Sequence, residues 1–279
     1  GKAIGITRDT SLLDEVVKCL FCSAYFDVED NNSKGSPELI AKAYRDTFSK
    51  VKLQCPSAFS MEEEILLDPE SISYVHSIIK NIDILDPSSD PLSDLYQTFV
   101  GTEVRGNEGQ FFTPPQAVNW IIEAINPQRG ESIIDPACGA GSFLFSAARH
   151  LKKAKVRDAQ IAKSIYGVEK DNYLSKLANT HLSLVTLEHS NIICGDSIER
   201  TNANNEAIKI DFESSFDIVV ANPPFGSKIK VGSKSAKERF DLAKKWLKDK
   251  ETGQYTITDK FVTNPSPQIL FIEICLKLL

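Results

Sequence analysis

Ser132-Ile133-Ile134-Asp135-Pro136-Ala137-Cys138-Gly139-Ala140-Gly141-Ser142 is the stretch on which the fold turns. Ser132 to Asp135 is a short apolar run closed by an acid, and Pro136 to Ser142 is a tight, glycine-bearing loop. Phe143, Ala147 and Leu151 then stripe one face of a helix leading to Lys155. Strand, turn and helix in that order begin the alternation of a parallel sheet with covered faces. The alternation continues with a strand at Ile165 to Glu169, a helix from Tyr173 to Leu187 and a strand at Asn191 to Cys194, which ends at Gly195-Asp196-Ser197. A fourth β-branched run, Phe216 to Ala221, delivers Asn222-Pro223-Pro224-Phe225. The expected class is α/β, an open and mostly parallel sheet.

In such a sheet the carboxyl ends of the strands line one crevice, so Asp135, Glu169 and Asp196 are expected to converge there. The Gly139-Ala140-Gly141 turn lets backbone approach a ligand, but Leu144 stands where the dinucleotide fingerprint has its third glycine, and no G-K-[ST] follows. A pyrophosphate at this turn would face Asp135. A cationic ligand carrying an amino group, a ribose and an adenine fits better, with Asp135 on the ammonium side, Glu169 on the ribose hydroxyls and Asp196 on the adenine amino group. Taken singly, each acid reads equally as a strand-end cap or a solvated turn. Two prolines stiffen the loop after the fourth strand. The Asn222 side-chain carbonyl, the Pro223 carbonyl and the Phe225 ring form a set suited to a flat ring bearing an NH2 group, though alone the tetrapeptide also reads as a strand-ending turn.

The composition of the whole 279-residue chain is ordinary for a globular protein, with 42% hydrophobic and 25% charged residues. No apolar run approaches the length of a membrane span, and Gly1 to Thr10 has no signal-peptide core, so a cytoplasmic location is expected, with no membrane partner. The six cysteines read as reduced core residues: Cys19 and Cys22 have zinc-knuckle spacing without a second pair, so no metal is expected. Up to about Val100 the pattern is helical, with starts at Ser36-Pro37, at the capping box Ser60-Met61-Glu62-Glu63 and at Asp68-Pro69, a break at Pro87 to Pro91, and a resumption from Leu92 to Val100. His76 reads as a helix-face residue. Gly101 to Gly109 is a polar, glycine-rich loop, and Gln110-Phe111-Phe112-Thr113-Pro114-Pro115 reads as a hydrophobic staple ahead of a helix that buries Val118, Ile121, Ile122 and Ile125.

Taken in order, Gln110 to Pro114, Asp135 to Phe143, Glu169, Asp196 and Asn222-Pro223-Pro224-Phe225 resemble the gamma arrangement of the methyltransferases that modify adenine N6 in DNA. The helical first hundred residues and Gly109-Gln110-Phe111-Phe112-Thr113-Pro114 look closest to the modification (M) subunit of type I restriction-modification systems. The resemblance implies a Rossmann-like methyltransferase sheet over 116–279, a linker and cofactor-contacting loop over 101–115, and a small helical domain over 1–100. It implies S-adenosyl-L-methionine as cofactor, with Thr113, Asp135, Gly139, Gly141 and Ser142 around the methionine end, Glu169 at the ribose and Asp196 at the adenine, and with Phe112, Pro114, Ala137, Ser197 and Asn222 also among the cofactor-binding residues. The target adenine would be flipped out of double-stranded DNA, stacked on Phe225 and held through N6 by Asn222 and the Pro223 carbonyl, with Pro224 stiffening the loop. The implied partners are a specificity (S) subunit and a restriction (R) subunit.

Competing readings are a methyltransferase acting on RNA or protein glutamine, and a non-catalytic assembly subunit that binds the cofactor. The net charge of -6 counts against an independent nucleic-acid enzyme, whereas residues 226–250 carry nine Lys or Arg against three acids, a patch that meets phosphates or a solvated loop. Gln268 to Leu279 is an apolar helical stripe without a closing cap. The family would continue beyond it, so the chain is expected to be truncated there, with the strand before Asn222 left at a sheet edge.

Overall fold

The computed structural model describes residues 9–25, 35–82, 94–95, 113–213, 215–224 and 233–279. The Pro87–Pro91 break, most of the run after it, the Gly101–Gly109 loop and Gln110 to Phe112 lie outside the described residues. The chain begins with α1 (Asp9–Tyr25), α2 (Pro37–Gln54) and α3 (Pro69–Ile79). α2 and α3 start on proline, whose missing amide would be unpaired in a first turn anyway, and Asp68 caps α3 by accepting from the Ser71 amide at 2.8 Å. Leu13, Leu20, Phe21, Tyr44, Phe48 and Ile72 bury together, and this core continues onto Leu174, Leu177 and Leu184 of the second half. His76 lies on α3, its Nδ1 2.9 Å from the Tyr44 hydroxyl.

The capping box at Ser60 starts no helix. Glu63 does accept from the Ser60 amide at 3.0 Å, but the amides of Leu66 and Leu67 donate to Glu15 Oε2 at 2.6 and 3.2 Å. Lys52 takes the carbonyls of Met61 and Glu63, Lys18 that of Glu64, and Arg45 that of Leu67. Side chains of α1 and α2 thereby occupy the backbone groups a helix would have paired internally, and the segment stays irregular.

The second half runs α4 (Pro115–Ile125), β1 (Ile133–Asp135), α5 (Ser142–Lys153), α6 (Asp158–Ser164), β2 (Ile165–Glu169), α7 (Asn172–Thr186), β3 (Asn191–Asp196), β4 (Thr201–Asn202) and β5 (Ile218–Val219). α8 (Lys234–Glu238), a single 3-10 turn, β6 (Lys244–Lys248), β7 (Tyr255–Phe261) and α9 (Pro267–Leu278) follow. β1, β2, β3 and β5 pair in parallel, β4 runs antiparallel to β3, and the strand order is β4-β3-β2-β1-β5. Ile133, Ile165 and Ile192 face the core shared with α4 to α7, whereas Ile134 and Val168 face Phe240, Leu270, Ile274 and Leu278. Both faces are covered, as the near-continuous apolar strands require. The sheet grows from β1 to β3 on one side and places β5 on the other, so the switch point lies between the carboxyl ends of β1 and β5.

Three expectations change. On α4, Val118 and Ile122 are buried, but Ile121 and Ile125 are exposed, since no described element packs over that side. Cys19, Cys22, Cys55 and Cys138 are buried, whereas Cys194 and Cys275 are only partly so. The end of the basic stretch 226–250 is not loop but β6, which pairs with β7 in an antiparallel ribbon. β5 ends the sheet with no strand beyond it among the described residues, and α9 closes its start where the Leu278 carbonyl accepts the amides of Ser215 and Phe216. No helix of the described residues is long and apolar enough to cross a membrane.

Candidate active site

The loop between β1 and α5 is held from three directions. The Cys138 amide donates to the Val168 carbonyl of β2 at 3.0 Å, Ser197 Oγ donates to the Pro136 carbonyl at 2.6 Å, and the buried His181 donates through Nδ1 to the Ala140 carbonyl at 2.6 Å. Gly141 has φ 83°, and a β-carbon there would stand 3.1 Å from that of Ala178 on α7, so the loop lies directly against that helix. Ser197, expected in the crevice, has a buried hydroxyl that supports this loop. His181 carried no sequence signal beyond its place in an apolar helix.

Asp135 closes β1 with 1% of its surface exposed, and its Oδ1 accepts from the Ala137 amide at 2.9 Å. Burial pushes its carboxyl up to about 8; the Ala137 bond opposes the shift and the negative charge of Glu169 adds to it. Glu169 closes β2, taking the Gly139 amide on Oε2 at 2.8 Å and the Asp171 amide on Oε1 at 2.7 Å. Burial raises this carboxyl too, against those same two bonds. Asp196 closes β3, caps the turn through the amides of Ile198 and Glu199, and pairs through Oδ2 with Lys170 Nζ at 2.8 Å. Lys170, which directly follows Glu169, is a cation at the rim that the sequence reading passed over.

β5 lies beside β1, with Ile134 opposite Val219 and the Val220 amide on the Ile134 carbonyl at 3.0 Å, so Asn222 leaves the sheet next to Asp135. Asn222 is half-buried, and its Nδ2 donates to Thr113 Oγ1 at 2.9 Å. This bond leaves Oδ1 as the acceptor of the side chain. Pro223, Pro224, Ala137, Gly139 and Ser142 are half-buried around the crevice and Pro114 is exposed, while Phe112 and Phe225 lie outside the described residues. Burial raises the Cys138 thiol well above its ordinary value and that of Cys275 to about 11, which makes both poor nucleophiles. The arrangement offers positioned acceptors and acids to a bound ligand rather than a covalent attack.

A family model described as N-6 DNA Methylase matches residues 87–267, about two-thirds of the chain and all of the strand ends described above. The chain belongs to that family. Among relatives, the methylase subunit of the type I restriction enzyme EcoEI of Escherichia coli is 31% identical over 161 residues, covering 54% of this chain and 32% of that protein. The EcoKI methylase subunit of Escherichia coli strain K12 is 29% identical over 183 residues, covering 58% of this chain and 33% of that one. The chain thus spans about a third of the length of these relatives. Two solved structures share the fold: a chain of a type I restriction-modification system, with TM-score 0.53, 20% identity and coverage of 98% of this chain and 57% of that one, and the type ISP enzyme LlaBIII bound to DNA, with TM-score 0.52, 15% identity and coverage of 97% and 20%. The fold of this N-6 DNA methylase family member is accordingly the Rossmann-like sheet of methyltransferases.

Proposed function

We propose that the chain binds S-adenosyl-L-methionine in the crevice at the ends of β1 to β3 and transfers its methyl group to the N6 amino group of an adenine flipped out of double-stranded DNA. The observation that carries this reading is the Asn222 side chain, whose amide is tied back to Thr113 and whose Oδ1 is presented one strand away from Asp135. Buried Asp135 and half-buried Glu169 have no cation within ion-pair distance among the described residues, and a ligand that is cationic at one end and carries ribose hydroxyls complements them. The cofactor supplies an electrophilic methyl group on a positively charged sulfur. Phe112, Thr113, Pro114, Asp135, Ala137, Gly139, Gly141 and Ser142 hold its amino-acid end, Glu169 its ribose, and Asp196 its adenine, with Ser197 acting through the loop it supports.

The chain's part in the chemistry is positional. Asn222 Oδ1 and the Pro223 carbonyl accept the two N6 protons, which draws the nitrogen lone pair out of the ring plane and toward the methyl group. Phe225 stacks the base and Pro224 keeps the loop stiff. The N6 to methyl bond would form as the methyl to sulfur bond breaks, the electron pair staying on sulfur as a neutral thioether and one N6 proton passing to solvent, and no enzyme nucleophile takes part. Holding two reactants in line is worth a large share of such a barrier.

The relatives are named as methylase subunits of type I restriction enzymes. By that likeness this chain works in the cytoplasm beside a specificity subunit that chooses the DNA sequence and a restriction subunit, with a helical unit over 1–100, a linker over 101–115 and the catalytic unit over 116–279. Exposed Lys245, Lys248 and Lys250 beside Trp246 and Tyr255 on the β6–β7 ribbon favour a DNA backbone as a neighbour. Tritiated methyl transfer from S-adenosyl-L-methionine to adenine-containing duplex, with and without the specificity subunit, tests the reading. Transfer should depend on that subunit and fall by about a hundredfold or more in Asn222→Ala, as when a group that orients a reaction is lost. Equal transfer by the variant, or no calorimetric binding of the cofactor to the parent chain, overturns it.

A further inference from the structure

We infer that Thr113 is a positioning residue that sets the polarity of the Asn222 amide and thereby couples the methyl-donor site to the base site; this rests on the methyl-transfer reading above. A side-chain amide has two faces of opposite character, and turning it by half a revolution exchanges acceptor for donor. The orientation matters here because the adenine amino group only donates its protons. An amide presenting NH2 to it would oppose two donors, whereas one presenting Oδ1 accepts.

The structure holds Asn222 the productive way round, through the 2.9 Å bond from Nδ2 to Thr113 Oγ1. The two residues lie 109 positions apart, one in front of α4 and the other after β5, so local backbone geometry does not impose the pairing. A hydroxyl can donate or accept, and it accepts from Asn222 when its own proton is engaged elsewhere. Thr113 immediately precedes the Pro114-Pro115 entry to α4, where the partial positive charge of the first turn favours a negative group. The carboxylate of a bound cofactor would supply such a group. Were the Thr113 proton given to that carboxylate, the hydroxyl oxygen could only accept, keeping Nδ2 on it and Oδ1 toward the base. Donor binding therefore prepares the acceptor, and hydrogen bonds in such a chain strengthen one another.

Three variants separate this role from simple packing. In the chain itself, 15N NMR should find the Asn222 side-chain amide protons protected from exchange in the parent and in Thr113→Ser, more protected when S-adenosyl-L-methionine is added, and unprotected in Thr113→Val. In transfer assays with the specificity subunit, Thr113→Val should lower kcat about tenfold, the loss expected of one orienting hydrogen bond, while KM for DNA stays within roughly twofold. Thr113→Ser should restore the rate. On an Asn222→Ser background, where no amide remains to be oriented, Thr113→Val should lower kcat no further, any added effect falling on KM for S-adenosyl-L-methionine. An unchanged kcat in Thr113→Val, a serine variant as slow as the valine one, or a loss confined to cofactor affinity overturns the inference. If no variant of the protein methylates adenine, the proposed function fails, and the NMR protection still decides whether Thr113 orients Asn222.

Discussion

Carboxylates that gather two backbone amides occur in the scaffold and in the crevice, and they differ in what neutralises them. In the helical layer, Glu15 takes the amides of Leu66 and Leu67 and lies 2.6 Å from Lys18. Beneath the ribbon, Glu273 takes those of Asp241 and Leu242 and lies 2.8 Å from Lys277. In the crevice, Glu169 takes the amides of Gly139 and Asp171 and has no cation within ion-pair distance among the described residues, and buried Asp135 beside it has none either. Where the carboxylate only joins segments, a lysine offsets its burial. At the strand ends that charge is missing, and burial raises both carboxyls instead. The difference is the one expected if, as proposed, a ligand completes the crevice.

The sharpest way to break this contrast is to remove a compensated acid. Glu15→Ala leaves Lys18 buried without its partner and two amides without an acceptor, and we expect a loss of about 3–5 kcal/mol in denaturant unfolding. A loss below about 1 kcal/mol would mean that the pair is no scaffold at all. The uncompensated acid behaves in the opposite sense. Because the folded Asp135 carboxyl lies near 8 and an unfolded one near 3.8, the folded chain binds the extra proton, so this group costs nothing below about 4 and lowers stability progressively as pH rises toward 8. Relative to Asp135→Asn, the parent should lose about 2–3 kcal/mol between about pH 5 and about pH 7. Parallel pH profiles for the two proteins would contradict the burial assigned to Asp135.

The same contrast explains what could be read from the chain. Strands ending in Asp135, Glu169 and Asp196 are legible because alternation and turn residues are local properties, and the acid at each end follows from where the run stops. Residues 60–67 are not, because the groups that decide their conformation come from other elements, Glu15 and Lys18 about fifty positions away and Arg45 and Lys52 on α2. A capping box states only a local preference. β6 reads as a solvated basic stretch because Lys244, Lys245 and Lys248 alternate with Trp246 and Leu247, and only pairing with β7 makes it a strand. The exposure of Ile121 and Ile125 escaped for a related reason: helical periodicity names a face but not what covers it. The candidate site residues are named from their order along the chain, whereas the Thr113–Asn222 bond joins two distant motifs and shows only in three dimensions.

Asp196 is the intermediate case and gives the finest test. It has a lysine, but Lys170 is 76% exposed and reaches the carboxylate from solvent, unlike the buried Lys18. An exposed partner gains little, since water screens the pair and the long side chain loses freedom on joining it. Lys170→Gln should therefore change unfolding stability by less than about 0.5 kcal/mol, and added salt should erase even that difference. A larger, salt-resistant loss would put Asp196 with Glu15 among the scaffold acids and remove it from the set waiting for a ligand. A negligible loss leaves Asp196 able to exchange Lys170 for an adenine amino group.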